Sequence, residues 1–186
     1  MKRLAVLSIA FLFAVTVVQG QSQKTDKGNT KETKKEMKSD RIALKKLSGN
    51  TVNIVATNSF NTDFNGATNV QSKRVETFDE FSFTSKDGQK MKAYYDSDGI
   101  LVGTTQLMTF TDLPISGQKE IKAKYKDYSV GKVVFYDDNE ANSTDMILYG
   151  VQFDDADNYF VELSKGTKTI VLQVNTNGNI FLFKEL

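Results

Sequence analysis

Carboxylates are the side chains in this sequence best suited to chemistry, because the chain has no His and no Cys. Three runs place several of them close together: Asp96-x-Asp98-Gly99, Asp137-Asp138-Asn139-Glu140 and Asp154-Asp155-x-Asp157-Asn158. Carboxylate and amide oxygens are the ligands that Ca²⁺ prefers. The first run has Ile100 where an EF-hand loop needs its third ligand and Leu107 where it needs the Glu of its twelfth position, so it predicts a hairpin turn.

The other two acidic runs flank a predicted strand, Met146–Phe153, at its opposite ends. We therefore expect two separate loop clusters rather than one site. Binding of Ca²⁺ or a small ligand by these acidic loops remains an alternative function, with no residue assigned as a metal ligand.

The missing residue types exclude several kinds of catalysis. Without His and Cys there is no Ser–His or Cys–His nucleophile, no zinc site of the usual kind and no disulfide. A glycosidase needs two carboxylates at a fixed separation, and nothing in the spacing of Asp and Glu selects such a pair. We predict a protein that is not an enzyme, with no catalytic residues and no cofactor.

The N-terminus predicts export. Lys2 and Arg3 precede an apolar run from Leu4 to Val18, and Val18-Gln19-Gly20 resembles a cleavage site. We predict a signal peptide over residues 1–20, cleaved after Gly20, and a periplasmic or secreted protein. The alternative is a membrane anchor, but the run is shorter than the ~20 residues that a spanning helix needs. No later apolar run is long enough to span.

Charge divides the rest of the chain. Residues 21–46 carry nine Lys and Arg against four Asp and Glu, a net of +5, and contain no aromatic residue. We predict a disordered basic tether there, either a solvated spacer or a contact to anionic lipid or polysaccharide. Residues 47–186 carry thirteen basic against nineteen acidic side chains, a net of −6. A body of that charge without a basic aromatic patch predicts no nucleic-acid binding.

The body has a helix followed by strands, twice. Val55, Ala56, Ser59 and Phe60 share one helical face, and Ile121 and Tyr125 share another after Leu113-Pro114. Alternating patterns and Asp-Gly or Asn-Gly turns predict antiparallel strands after each helix. Units at 47–110 and 111–186 therefore form a predicted α+β fold of two tandem helix-plus-antiparallel-sheet units. The two can be overlaid as follows: Phe60 and Phe64 on Ile121 and Tyr125; Phe81 and Phe83 on Tyr159 and Val161; Ala93, Tyr95, Asp96 and Gly99 on Leu172, Val174, Asn175 and Gly178.

These motifs resemble those of the PepSY-like exported proteins of the Bacteroidetes. The matching patterns are Phe60-x3-Phe64-x-Gly66-Ala67, Phe81-x-Phe83-x3-Asp87-Gly88-x4-Ala93-x-Tyr95-Asp96-x2-Gly99, and Leu113-Pro114 with Ile121-x3-Tyr125. The resemblance implies a fold like that of the β-lactamase inhibitor protein, a periplasmic or cell-surface location and no established catalytic residues. The likeness to an inhibitor suggests protein binding, although a fold does not fix a function.

The sheet face away from the helices is the predicted binding surface. Alternation turns Tyr94, Phe160, Leu148 and Lys92 outward if the following residues point inward: Phe81, Phe83, Ala93, Tyr95, Tyr159, Val161, Leu172 and Val174. Exposed aromatics among charges are typical anchors for a partner. We predict a non-enzymatic binding module for an envelope or extracellular protein, with these four residues as its contacts. The alternative is that the other unit or the tether covers them.

Overall fold

An eight-stranded antiparallel sheet forms the frame of the protein. The computed structural model describes residues 47, 49–75 and 77–186, so the predicted signal peptide and tether lie outside the described residues. The strands of this sheet, in their spatial order, are β1 (Thr68–Arg74), β2 (Asp79–Thr84), β3 (Lys90–Tyr95), β4 (Leu101–Met108), β5 (Ser129–Asp138), β8 (Asn158–Lys165), β9 (Lys168–Asn175) and β10 (Ile180–Glu185).

Two helices, α1 (Ile54–Asp63) and α2 (Ile115–Lys124), pack on one face of the sheet, which we call the helix face. Asn53 is the N-cap residue of α1, and its Oδ1 accepts the Val55 N–H at 3.0 Å. Pro114 precedes the first residue of α2, where its fixed φ suits a helix start. The α+β class predicted from the sequence is confirmed.

Each helix buries its apolar residues against the strands that follow it. In α1, Phe60 stacks on Phe81 with ring centroids 4.5 Å apart, and both rings are 2% exposed. In α2, Ile121 packs with Val161 and Leu172. Burying one such side chain contributes roughly 1.5–3 kcal/mol. Packing therefore holds α1, whose Asn and Thr residues are poor helix formers.

Matching turns show that the second half of the chain repeats the first. Asp96 Oδ1 accepts the N–H groups of Asp98 and Ile100, and Asn175 Oδ1 accepts those of Asn177 and Asn179. Each turn ends in a glycine at positive φ, Gly99 and Gly178. A Cβ at either glycine would lie within 3.0 Å of the first turn of the preceding helix, so only glycine fits there.

The pairing register corrects the sequence overlay of the two halves by two residues. Phe81 lies opposite Ala93, whereas Val161 lies opposite Leu172. Phe81 is therefore equivalent to Val161 and not to Tyr159. On the other face of the sheet, Glu80 becomes equivalent to Phe160 and Lys92 to Val171. Because β4 pairs directly with β5, the sheet is continuous across residue 110, and the unit boundary stays a prediction.

The chain between β5 and β8 is the main departure from this repeat. The predicted single strand over residues 146–153 is wrong, because two short strands, β6 (Met146–Leu148) and β7 (Val151–Phe153), pair there as a hairpin. Tyr149 and Gly150 form its tip with φ values of 52° and 71°, as a tight hairpin turn requires. The hairpin packs on the sheet face opposite the helices, which we call the hairpin face.

Candidate functional site

The β6–β7 hairpin covers the hairpin face in the C-terminal half, residues 111–186. Phe153 contacts the rings of Tyr136 and Phe160, with centroids 5.1 and 4.9 Å away. At the tip, the Tyr149 hydroxyl donates to Glu162 Oε1 at 2.7 Å, and Lys184 Nζ donates to the Tyr149 carbonyl. Apolar contacts and these two polar contacts fix the hairpin on the sheet.

The hairpin face of the N-terminal half, residues 47–110, is only partly covered. Phe78, Tyr94 and Val102 pack in one cluster with the hairpin, and the rest of this face is open beside the hairpin edge. It forms a cavity of about 850 Å³, which we call the open cavity. Its walls come from β1 to β5 and from the hairpin residues Ile147, Leu148 and Tyr149. Such a volume lies within the range of ~300–1,000 Å³ that is typical of ligand pockets.

An ion-paired carboxylate lies in the wall of the open cavity. Glu80 is only 6% exposed, and its Oε1 lies 2.8 Å from Lys92 Nζ and 3.3 Å from Lys73 Nζ. Two ammonium groups on one oxygen offset the cost of removing this carboxylate from water. The cluster of Glu80, Lys92 and Lys73 has a net charge of +1.

Tyr94 joins the charged wall to the apolar core. Its hydroxyl lies 3.2 Å from Thr105 Oγ1, and both residues are buried. Burial raises the pKa of the Tyr94 phenol well above its usual value, and the negative charge of Glu80 raises it further, against the lowering effect of the Thr105 hydrogen bond. The phenol therefore stays neutral at physiological pH and serves as a hydrogen-bonding group rather than a base.

Three of the four residues predicted as partner contacts line the open cavity: Lys92, Tyr94 and Leu148. The expected exposure is wrong for Tyr94 and Phe160, which are 5% and 0% exposed. Phe160 lies beneath the hairpin, so a Tyr94→Ala and Phe160→Ala double variant would damage the core. Leu107, an exposed apolar residue of the cavity, was not predicted from the sequence; it is 61% exposed on the central strand β4.

The hairpin insertion also brings the two acidic loops together, which corrects the expectation that they are separate. Asp138 donates its backbone N–H to Asp157 Oδ1 at 2.9 Å. Burial raises the pKa of the Asp138 carboxyl to about 7, assisted by its hydrogen bond to Asp155 and opposed by the Tyr136 hydroxyl, which donates to it at 3.0 Å. Across the described part of the chain, however, no group of three or more carboxylates is placed to hold a metal ion.

Comparison with solved structures supports the fold. A BLIP-like protein (like the β-lactamase inhibitor protein) from Bacteroides fragilis matches with a TM-score of 0.56 at 13% identity, over 80% of this chain and 91% of that one. A DUF2874 family protein from Bacteroides uniformis matches with a TM-score of 0.60 at 13% identity, over 73% of this chain and 90% of that one. The chain has a BLIP-like fold. No protein-family model and no curated protein sequence matches it.

A third solved structure, from Bacteroides eggerthii, belongs to a protein provisionally described as periplasmic. It matches with a TM-score of 0.59 at 10% identity, over 73% of this chain and 89% of that one. At these identities the likeness establishes the fold alone, and the PepSY-like part of the sequence resemblance stays a prediction. Neither described helix has the length and apolar character that a membrane span needs.

Proposed function

We propose that the protein is an exported, non-enzymatic binding module that holds a partner protein in the open cavity. The observation that carries this proposal is the combination of an exposed Leu107 with the Glu80–Lys92 ion pair in one cavity of about 850 Å³. Apolar side chains beside fixed polar groups are what a specific recognition site requires.

The polar groups of the cavity favour binding over catalysis. Glu80 already engages two lysines in ion pairs. Burial raises the pKa of the Tyr94 phenol, so this group stays protonated near neutral pH and does not serve as a base. The BLIP-like description of a structural neighbour supports a protein as the partner. The signal-like residues 1–20 and the periplasmic description of another neighbour support export.

Affinity capture from envelope extracts tests the proposal with two matched variants. Leu107→Glu puts a charge into the apolar wall of the cavity, and we expect it to lose proteins that the wild type retains. Ile115→Glu is the control, because Ile115 is 70% exposed at the start of α2 on the helix face. A carboxylate is also favourable at a helix N-terminus, so the control should fold.

Capture of the same proteins by wild type and by Ile115→Glu, but not by Leu107→Glu, would support binding through the open cavity. An identical set for all three proteins would contradict it. Thermal unfolding of each variant, measured first, ensures that a lost partner does not reflect a lost fold.

Calcium or small-ligand binding by the acidic loops is a second candidate, favoured by the contact between Asp138 and Asp155. A cation between these carboxylates would relieve their repulsion and would raise the Tm, because it would bind the native state alone. Titration of Ca²⁺ against the wild type and Asp138→Asn tests this. An unchanged Tm of the wild type would reject the candidate.

A further inference from the structure

The equivalent positions of the two halves indicate which chemistry the open cavity can accept. Under the hairpin, Phe160 and Val171 are both 0% exposed and meet an apolar cover. At the equivalent positions of the open half lie Glu80 and Lys92. A second apolar hairpin would leave these charges without water, at high cost. The occupant of the open cavity must therefore carry polar or charged groups of its own.

The charge of the cavity favours an anionic occupant. Lys90, Lys92 and Lys132 line it against the single carboxylate of Glu80. Lys92 is already paired with Glu80, whereas Lys90 and Lys132 are exposed and form no ion pair with any described residue. This local excess of positive charge lies on a body whose net charge is −6 over residues 47–186. The cavity therefore differs in sign from its surroundings, which directs acidic groups to it.

An apolar group lies between the two unpaired lysines. Leu107 is on β4, Lys90 is on the neighbouring strand β3, and Lys132 is on the neighbouring strand β5. Neighbouring strands are about 4.8 Å apart, and Lys132 lies two residues along β5 from Val134, the register partner of Leu107. The two lysines therefore extend from positions roughly 12 Å apart, with Leu107 between them. Leu148, at the edge of the hairpin, adds a second apolar wall.

We propose that the open cavity binds an acidic segment of a partner protein in which carboxylates flank an apolar side chain. The carboxylates pair with Lys90 and Lys132, and the apolar side chain packs against Leu107 and Leu148. The proposal rests on the proposed function and adds the chemical class of the partner segment. It predicts that binding weakens as salt concentration rises, since the two lysines are exposed.

Selection of a random peptide display library on the exported, purified protein tests the proposal. We expect enriched peptides to carry Asp or Glu on both sides of an apolar residue. A synthetic peptide from this set should bind roughly tenfold more weakly to a Lys90→Glu and Lys132→Glu double variant, because charge reversal turns attraction into repulsion. The control is Lys119→Glu with Lys126→Glu, an equal charge change at exposed positions in and after α2, and it should bind as the wild type does.

Each other outcome overturns the proposal in a distinguishable way. If the selected peptides fail to bind Leu107→Glu but show no enrichment of Asp or Glu, the acidic ligand class is rejected and the proposed function stands. Peptides that bind all variants equally, or no enrichment, would count against both. If dodecanoate raises the Tm through Lys90 and Lys132 while no peptide is selected, the occupant is a small amphiphile. If the protein dimerises and Leu107→Glu abolishes the dimer, the occupant is a second copy.

Discussion

The hairpin face carries different residues in the two halves of the sheet. In the C-terminal half, the chain's own hairpin covers Phe160 and Val171, and the hairpin face becomes core. In the N-terminal half, the connection between β1 and β2 has only four residues, and Glu80 and Lys92 pair in an open cavity. The half that the hairpin leaves partly open keeps charged side chains. The cavity is therefore a polar surface rather than an unfilled core, as our proposal of a separate occupant requires.

The largest expected effect comes from removing the cover in the C-terminal half. Phe153 is 2% exposed and contacts the rings of Tyr136, Phe160 and Phe183. We expect Phe153→Ala to lower the free energy of unfolding by about 3–5 kcal/mol, because it leaves a void in a packed cluster. Urea unfolding measures this. Leu107→Ala in the open half is the comparison, and a cost as large as that of Phe153→Ala would contradict the distinction between core and open surface.

A second comparison concerns the ion pair between Arg74 and Asp79 in the open half. Asp79 is 0% exposed and accepts hydrogen bonds of 2.8 Å from Arg74 Nε, Arg74 Nη2 and the Asn53 N–H at the start of α1. The equivalent residue of the covered half is Tyr159, whose ring lies 4.6 Å from that of Phe135. We expect Asp79→Asn to cost about 3 kcal/mol, since the guanidinium loses its buried carboxylate.

Tyr159→Phe is the matched variant for Asp79→Asn, because it keeps the ring contact that does the packing. We expect its free energy of unfolding to lie within about 0.5 kcal/mol of that of the wild type. Urea unfolding of both variants provides the comparison. An equal loss of unfolding free energy in Asp79→Asn and Tyr159→Phe would contradict the distinction between an ion pair in the open half and ring packing in the covered half.

A pH dependence of stability near neutral pH should arise in the loops that enter and leave the hairpin. The pKa of Asp138 is about 7 in the folded protein against 3.8 for the unperturbed group, through burial and the nearby Asp155 and Asp157. The folded state thus favours the protonated carboxyl, so this contribution to the free energy of unfolding is complete below pH 4 and is lost as pH rises through 7. Asp138→Asn should remove that slope and be more stable than the wild type at pH 8.

The control for this pH effect is Asp98→Asn, in the turn of the open half that has no such insertion. Denaturant unfolding of the three proteins between pH 4 and pH 8 provides the measurement. Asp98→Asn removes one exposed carboxylate from the open half, so the difference between the two variants isolates the contribution of Asp138. If Asp138→Asn keeps the wild-type slope, Asp138 is not the group whose protonation stabilises the fold.

The smallest expected change in unfolding free energy distinguishes the helix face of β4 from its hairpin face. Thr104, on the helix face of β4, is 7% exposed, and its Oγ1 is a buried side-chain oxygen without a hydrogen-bond partner among the described residues. Its neighbour Thr105 faces the open cavity and bonds the Tyr94 hydroxyl. We expect Thr104→Val to raise the free energy of unfolding by about 1 kcal/mol and Thr105→Val to lower it by about 1–2 kcal/mol. Effects of the same sign would contradict this assignment.

The helices and turns could be predicted from the sequence because their signals are local. Leu113-Pro114, Asp98-Gly99 and Asn177-Gly178 fix backbone conformations within a few residues, and the α+β class follows from them. The sequence overlay placed Phe81 on Tyr159, two residues from its true equivalent, Val161. It did so because alternation gives the face of a strand and not its register. Register depends on loop lengths, which differ between the halves.

The covered face could not be predicted, because it depends on packing between distant segments. Alternation correctly placed Tyr94 and Phe160 on the face opposite the helices, but it says nothing about what lies over that face. The signals that could have found the hairpin were the apolar Met146-Ile147-Leu148, followed by Tyr149-Gly150 as a turn, in a segment longer than its counterpart. The contact between the acidic loops at Asp138 and Asp157 could not be predicted either, because the same hairpin brings them together.

Site-specific photocrosslinking in intact cells tests whether the open cavity contacts a partner protein, and it needs no knowledge of the partner's identity. A benzophenone amino acid is placed at Leu107 in the open cavity and, as the matched control, at Ile115 on the helix face; both positions are exposed. We expect a distinct adduct with another protein from position 107 that position 115 does not give. Adducts that are identical at the two positions, or absent at 107, would contradict it.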